Sequence, residues 1–116
     1  MKIAIVIMLS MFVCGCVTMR PFTATEAATD ALIIADWAQT LEIADNQNRW
    51  VERNPLLGSH PSKERVSWSI GGALLANTVI HRVLLDKWLG RYQLCLIVAE
   101  GTAVAENYQL GVRAGF

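Results

Sequence analysis

Charge is scarce in this chain. Asp, Glu, Lys and Arg make up 17% of its 116 residues, against about 25% in ordinary soluble domains, and ten basic side chains balance ten acidic ones. No arginine- or lysine-rich run and no basic–aromatic stripe occurs, so the electrostatic footprint of nucleic-acid binding is missing. The three cysteines, Cys14, Cys16 and Cys95, do not form a disulfide framework, and none stands in a zinc or redox spacing. Cys95 sits alone in an apolar run, where a small core side chain is expected. The only histidines are His60 and His81, with no HExxH or comparable pattern, so neither a metal site nor a cofactor is expected. No nucleophile elbow, phosphate loop or Ser/His/Asp set can be assembled; Ser67 and Ser69 have no base in sequence reach. Catalytic residues are unknown at this level, and the balance leans away from an enzyme.

What is abundant is apolar: 53% of the chain. The densest stretch comes first. Lys2 is followed by an apolar run from Ile3 to Val13 and then by Cys14-Gly15-Cys16. A short positive start, an apolar segment and a small residue before the cut mark a secretory signal. Gly15-Cys16, with Val13 before them, resembles the lipobox of bacterial prolipoproteins. That resemblance implies a signal peptide over residues 1–15, removed just before a Cys16 that carries a diacylglyceryl group. An uncleaved anchor ending near Met19 is the alternative. Both place the chain at a membrane of the bacterial envelope, with lipid as its first partner.

A short linker, residues 16–22, leads into one helical domain, residues 23–116. Thr23-Ala-Thr-Glu26 fits a capping box and predicts a helix over about 24–46. Within it Ala27, Ala31, Ile34, Ala38 and Leu41 recur at helical spacing and form one helical stripe. Pro55, Gly58 and Pro61 rule out a continuous helix through the next segment. Ser62 is a suitable N-cap for a second helix over about 63–89, and Gly90 a natural break before a third over about 91–113. The fold class is therefore all-α, a three-helix bundle.

Three features suggest that the bundle is embedded in a membrane. The second helix carries no formal charge from Val66 to Ile80. Trp68 and Trp88, twenty residues apart, would lie about 30 Å apart on one helix, the thickness of a hydrocarbon core. Tyr92 and Tyr108 bracket the third helix over about 24 Å. Small residues four apart (Gly72 with Ala76, Ala99 with Ala103, Gly101 with Ala105) fit close helix packing in lipid. A soluble bundle tethered by lipid is the competing arrangement. The first helix, interrupted by Asp30, Asp36 and Glu42, is the doubtful span. Spanning helices imply the inner membrane; a lipid tether alone implies the outer one.

Counting from these aromatic anchors brings Asp36, Thr40, Asn77, His81 and Glu100 to one depth as a polar layer. Ionisable groups in hydrocarbon are costly unless they pair or neutralise, so they should face inward together. The layer reads either as hydrogen-bonded glue that fixes register or as a proton relay or acid–base pair. The loop carries Glu52-x-Asn54-Pro55 and His60-Pro61-Ser62, a rigid polar turn or a binding epitope.

Asp36-x-x-x-Thr40, Glu52-x-Asn54-Pro55, Leu57-Gly58 and Pro61-Ser62, with Glu100 and Glu106-Asn107 further on, resemble a group of small uncharacterised bacterial and phage helical membrane proteins. The resemblance covers about residues 30 to 112 and implies a helical membrane protein without an established activity. Three functions compete: a non-enzymatic accessory or interaction subunit of the envelope, working with an envelope protein or a second copy of itself; a phage- or plasmid-type exclusion or immunity protein; and an intramembrane enzyme or proton-coupled element using the polar layer.

Overall fold

The computed structural model describes residues 20–114. The expected signal segment, Cys16 and the start of the expected linker lie outside the described residues. Three helices follow in order: α1 (Ala24–Asp45), α2 (Lys63–Val83) and α3 (Asp86–Gln109). Strands are absent among the described residues.

Side-chain caps start the first two helices. The Thr23 hydroxyl accepts the Glu26 N–H at 3.1 Å, and Ser62 Oγ accepts the Arg65 N–H at 3.2 Å, each relieving an otherwise orphaned donor. The expected capping box is half realised. The Glu26 carboxylate turns away from the backbone and takes Arg82 of α2 instead, at 2.8 Å.

The break between the second and third helices falls at Leu84–Leu85, both extended, and not at Gly90. Arg20 explains the position. Its guanidinium donates to the carbonyl of His81 at 3.2 Å and lies 2.6 Å from Asp86. It thus satisfies a carbonyl of the last turn of α2 and holds an acid in the first turn of α3, where the positive end of the helix dipole favours it. Gly90 is an interior residue of α3. That helix ends at Gln109, short of the expected 113, in a Schellman arrangement. Gly111 takes φ +91°, its N–H bonds the Tyr108 carbonyl, and the Val112 N–H bonds that of Asn107.

α1 packs against both α2 and α3 and lies between them. Cross-helix pairs give the directions. Glu26 meets Arg82, Asp30 meets Asn77 and Asp45 meets Lys63, so α1 and α2 are antiparallel. Gln39 of α1 reaches the Val104 carbonyl, placing α3 parallel to α1.

Two expectations are corrected here. Among the described residues no helix is long and apolar enough to cross a membrane, so the expected transmembrane helices are not found among them. The stretch Val66–Ile80 is uncharged, but Ser67, Ser69, Gly71, Gly72, Asn77 and Thr78 dilute it; lacking charge is not the same as being apolar. Trp68 and Trp88 also sit on different helices, which removes the 30 Å ruler.

The core face of α1 also differs. Ala31 and Ile34 of the expected stripe are exposed, whereas Glu26, Thr29, Ile33, Gln39, Thr40 and Ile43 are buried. The buried apolar set is small: Ile33, Ile43, Leu57, Val66 and Val112. The paired small residues are not packed against neighbours. Gly72, Ala76, Ala99 and Ala105 are exposed, and a Cβ built at Gly72 or Gly101 meets nothing within 4 Å. Cys95 is exposed as well.

Candidate functional site

The residues expected in one polar layer are divided between two centres. The first lies between α1, α2 and the start of α3, around Asn77, which is 1% exposed. Its Nδ2 donates to Thr29 Oγ1 at 3.0 Å and to Asp30 Oδ1 at 2.8 Å, and its Oδ1 accepts the Tyr92 hydroxyl at 2.7 Å. Thr29 in turn donates to the Glu26 carbonyl at 2.8 Å. One turn along α2, His81 is buried too. Its Nδ1 lies 2.9 Å from the Asn77 carbonyl and its Nε2 lies 3.1 Å from Gln93 Nε2. Donation from Nδ1 to that carbonyl leaves Nε2 to accept from Gln93, which fixes one neutral tautomer. Tyr92 meets the imidazole edge-on, with ring centroids 5.7 Å apart. Every polar atom named here is matched by another, which is the arrangement of a register lock.

The second centre is a cavity of about 270 Å³ whose lining includes Asp36, Glu52, Arg53, Asn54, Glu100 and Asn107. α1 supplies Asp36, the loop supplies Glu52 to Asn54, and α3 supplies Glu100 and Asn107. The loop is shaped by its own side chains. Glu52 Oε1 accepts the Asn54 N–H at 2.7 Å, and Asn54 Oδ1 accepts the Leu56 N–H at 3.0 Å. Gly58, at φ +81°, closes the turn, and Leu57 and Pro61 are buried beneath it. Arg65 ties the Leu56 carbonyl at 2.9 Å. His60 is exposed, its Nδ1 3.1 Å from Ser59 Oγ, and is not among the residues lining the cavity.

Burial, with acid crowding second, sets the electrostatics of this cavity. Burial pushes the Asp36 carboxyl up from 3.8 to about 6, and the charges of Glu100 and Glu52 push the same way. Burial also raises Glu100. Glu52 Oε2 is buried without a hydrogen-bond partner among the described residues. Arg53 borders the cavity and reaches Glu106 at 3.7 Å, a wide and solvent-exposed pair. Two carboxyls raised together in one cleft keep a proton to higher pH than free carboxyls do. Such a cavity can take up and release protons or receive a small hydrogen-bonding group. It contains no nucleophile aligned with a base. Among the described residues no group of three or more His, Cys, Asp or Glu side chains is placed to hold a metal ion.

Of the sequence-derived set, Asn77 and His81 meet in the first centre. Asp36 and Glu100 meet in the second, joined by Glu52 and Asn54 of the loop motif. Thr40 is buried one turn from Asp36, whereas Pro55 and His60 stay on the exposed loop. Glu26 is expected from the sequence only as a capping residue and Tyr92 only as an aromatic bracket, and Thr29, Gln39 and Arg82 are not expected in a site. Gln39 is fully buried, and its Nε2 donates to the Val104 and Val112 carbonyls at 3.2 Å each. A visible signal existed: Glu26, Thr29, Ile33, Asp36, Thr40 and Ile43 repeat at steps of three and four, as the alanine stripe does. Glu42 accepts the Ala114 N–H, fastening the segment after α3 to α1. No known protein family, no curated protein and no solved structure matches this chain.

Proposed function

We propose that the chain is a small lipoprotein of the bacterial envelope, held by lipid on Cys16 and acting as a non-enzymatic accessory or interaction subunit. One observation carries this reading: the buried side chains of the bundle are polar as often as apolar, while many large apolar ones stand outside. Trp68, Leu75, Val79 and Val83 on α2 and Leu94 and Val98 on α3 are all exposed. Surfaces of that extent are normally covered by a protein or a lipid partner. The N-terminal apolar run and Gly15-Cys16 supply the tether, and a tether without spanning helices favours the outer membrane. Metabolic palmitate labelling with membrane fractionation tests it. Wild-type protein should be labelled and sediment with membranes, and Cys16→Ser should lose the label. An unlabelled wild-type protein recovered in the soluble fraction would refute the reading.

The Asp36–Glu100 cavity favours a second reading, that of a proton-responsive element. Its support is the Asp36 carboxyl at about 6, poised to change charge near neutrality. Alanine at Asp36 and Glu100 should then abolish the pH response of the protein's function while leaving the helical fold. A response that survives both substitutions would remove this reading.

A further inference from the structure

The described chain begins at a fixed point. Arg20 is clamped in the crook between α2 and α3 by the His81 carbonyl and the Asp86 carboxylate. Cys16 is only four residues earlier, a reach of at most about 14 Å. Around this point four large apolar side chains stand in solvent: Phe22 is 62% exposed, Val83 50%, Leu85 61% and Trp88 47%. Two cations accompany them. Lys87 and Arg91 lie over the Trp88 ring, 6.0 Å and 5.0 Å from its centroid. The neighbouring charges are paired internally, Arg20 with Asp86 and Arg82 with Glu26, so Lys87 and Arg91 give the corner a positive face.

Indole rings settle at the headgroup level of a bilayer, where the ring is sheltered and its N–H stays wet. Lysine and arginine beside them are drawn to anionic lipid. We propose that the α2–α3 corner is a second lipid-binding site, seating Phe22, Val83, Leu85 and Trp88 in the headgroup layer with Lys87 and Arg91 on anionic lipid phosphates. The inference rests on the reading of Cys16 as the lipid anchor, because that anchor brings the corner within reach of the surface. It also orients the molecule. Trp68 lies fifteen residues before Val83 on α2, about 22 Å away along the axis, and points the far end of the bundle away from the membrane.

The test uses the full chain in vesicles of phosphatidylethanolamine and phosphatidylglycerol brominated near the headgroup, with tryptophan fluorescence as the readout. Wild-type emission should be quenched. Trp88→Phe should remove most of that quenching and Trp68→Phe should leave it. Lys87→Glu combined with Arg91→Glu should weaken the quenching about fivefold or more, while the protein still sediments with the vesicles. Unquenched protein that sediments, or quenching carried by Trp68, overturns the corner and leaves the anchor reading standing. Protein that fails to sediment overturns both.

Discussion

Asp36→Asn should stabilise the protein at neutral pH and leave it unchanged in acid. The carboxyl of Asp36 rises from 3.8 to about 6, through burial first and then through Glu100 and Glu52. A carboxyl raised in the folded state holds its proton more tightly there than in the unfolded chain, so stability falls as pH climbs between the two values. Below 3.8 the group is protonated in both states and costs nothing. Between 3.8 and about 6 the cost grows, and above that it is constant. At about 1.36 kcal/mol per pH unit the full rise is worth about 3 kcal/mol, and screening through the open side of the cavity lowers this to about 1–3 kcal/mol. Asparagine keeps the shape of the carboxyl without its charge. In a domain of this size each kcal/mol moves Tm by about 4–8 °C, so Tm at about pH 7.5 should rise by about 5–15 °C, with no change at about pH 3.5. Far-ultraviolet circular dichroism of the full chain in a non-ionic detergent, melted across that range, measures it. Equal gains at both ends of the range, or a lower Tm at neutral pH, would show that Asp36 is not strained by burial among like charges.

The first polar centre gives two further expectations. Arg82→Ala strands the carboxylate of Glu26, which is 1% exposed, and should cost toward the lower end of about 3–5 kcal/mol in urea denaturation; adding Glu26→Gln should recover part of the loss. Asn77→Ala removes bonds to Thr29, Asp30 and Tyr92 together and should cost about 2–4 kcal/mol, whereas Tyr92→Phe, which deletes one of them, should cost about 1 kcal/mol by the same measurement. Equal costs for Asn77→Ala and Tyr92→Phe would mean that Asn77 does not organise the centre.

Local chemistry made the first two helix starts legible and left the faces open. Thr23 and Ser62 mark their N-caps in the sequence because a cap depends only on neighbouring residues. The buried face of α1 does not, because two stripes share the helical period. One is formed by Ala27, Ala31, Ile34, Ala38 and Leu41, the other by Thr29, Ile33, Asp36, Thr40 and Ile43. Hydrophobicity alone favours the first. The second wins because α1 lies between two helices whose Asn77, Arg82 and Tyr92 engage its polar groups or each other beside it, and buried polar groups without partners are expensive. The Leu84–Leu85 break was hidden for a related reason: its cause, Arg20, is more than sixty positions away in the chain. The two-centre site was half legible. Asp36, Glu100, Asn77 and His81 stand out as polar residues in apolar surroundings, but a count of depth along straight helices cannot tell which of them share a face. It also could not show that the Glu52-x-Asn54 turn folds back over Asp36.

The contacts of α1 with its neighbours run through hydrogen bonds and ion pairs more than through aliphatic packing, and that has a consequence for how the fold is held. Directional contacts such as Asn77 with Thr29, Arg82 with Glu26 and Gln39 with two carbonyls of the α3 region fix the register of α1 against its neighbours, because a shift of one turn would strand each donor. They add little net stability, since water competes for the same groups in the unfolded chain. The apolar side chains that could supply it, Leu75 and Val79 on α2 and Leu94 and Val98 on α3, face outward. Covering them would bring the hydrophobic gain that the small core of Ile33, Ile43, Leu57, Val66 and Val112 provides only in part. The interior therefore specifies the shape of the bundle, and covering the outer faces of α2 and α3 would add to its stability.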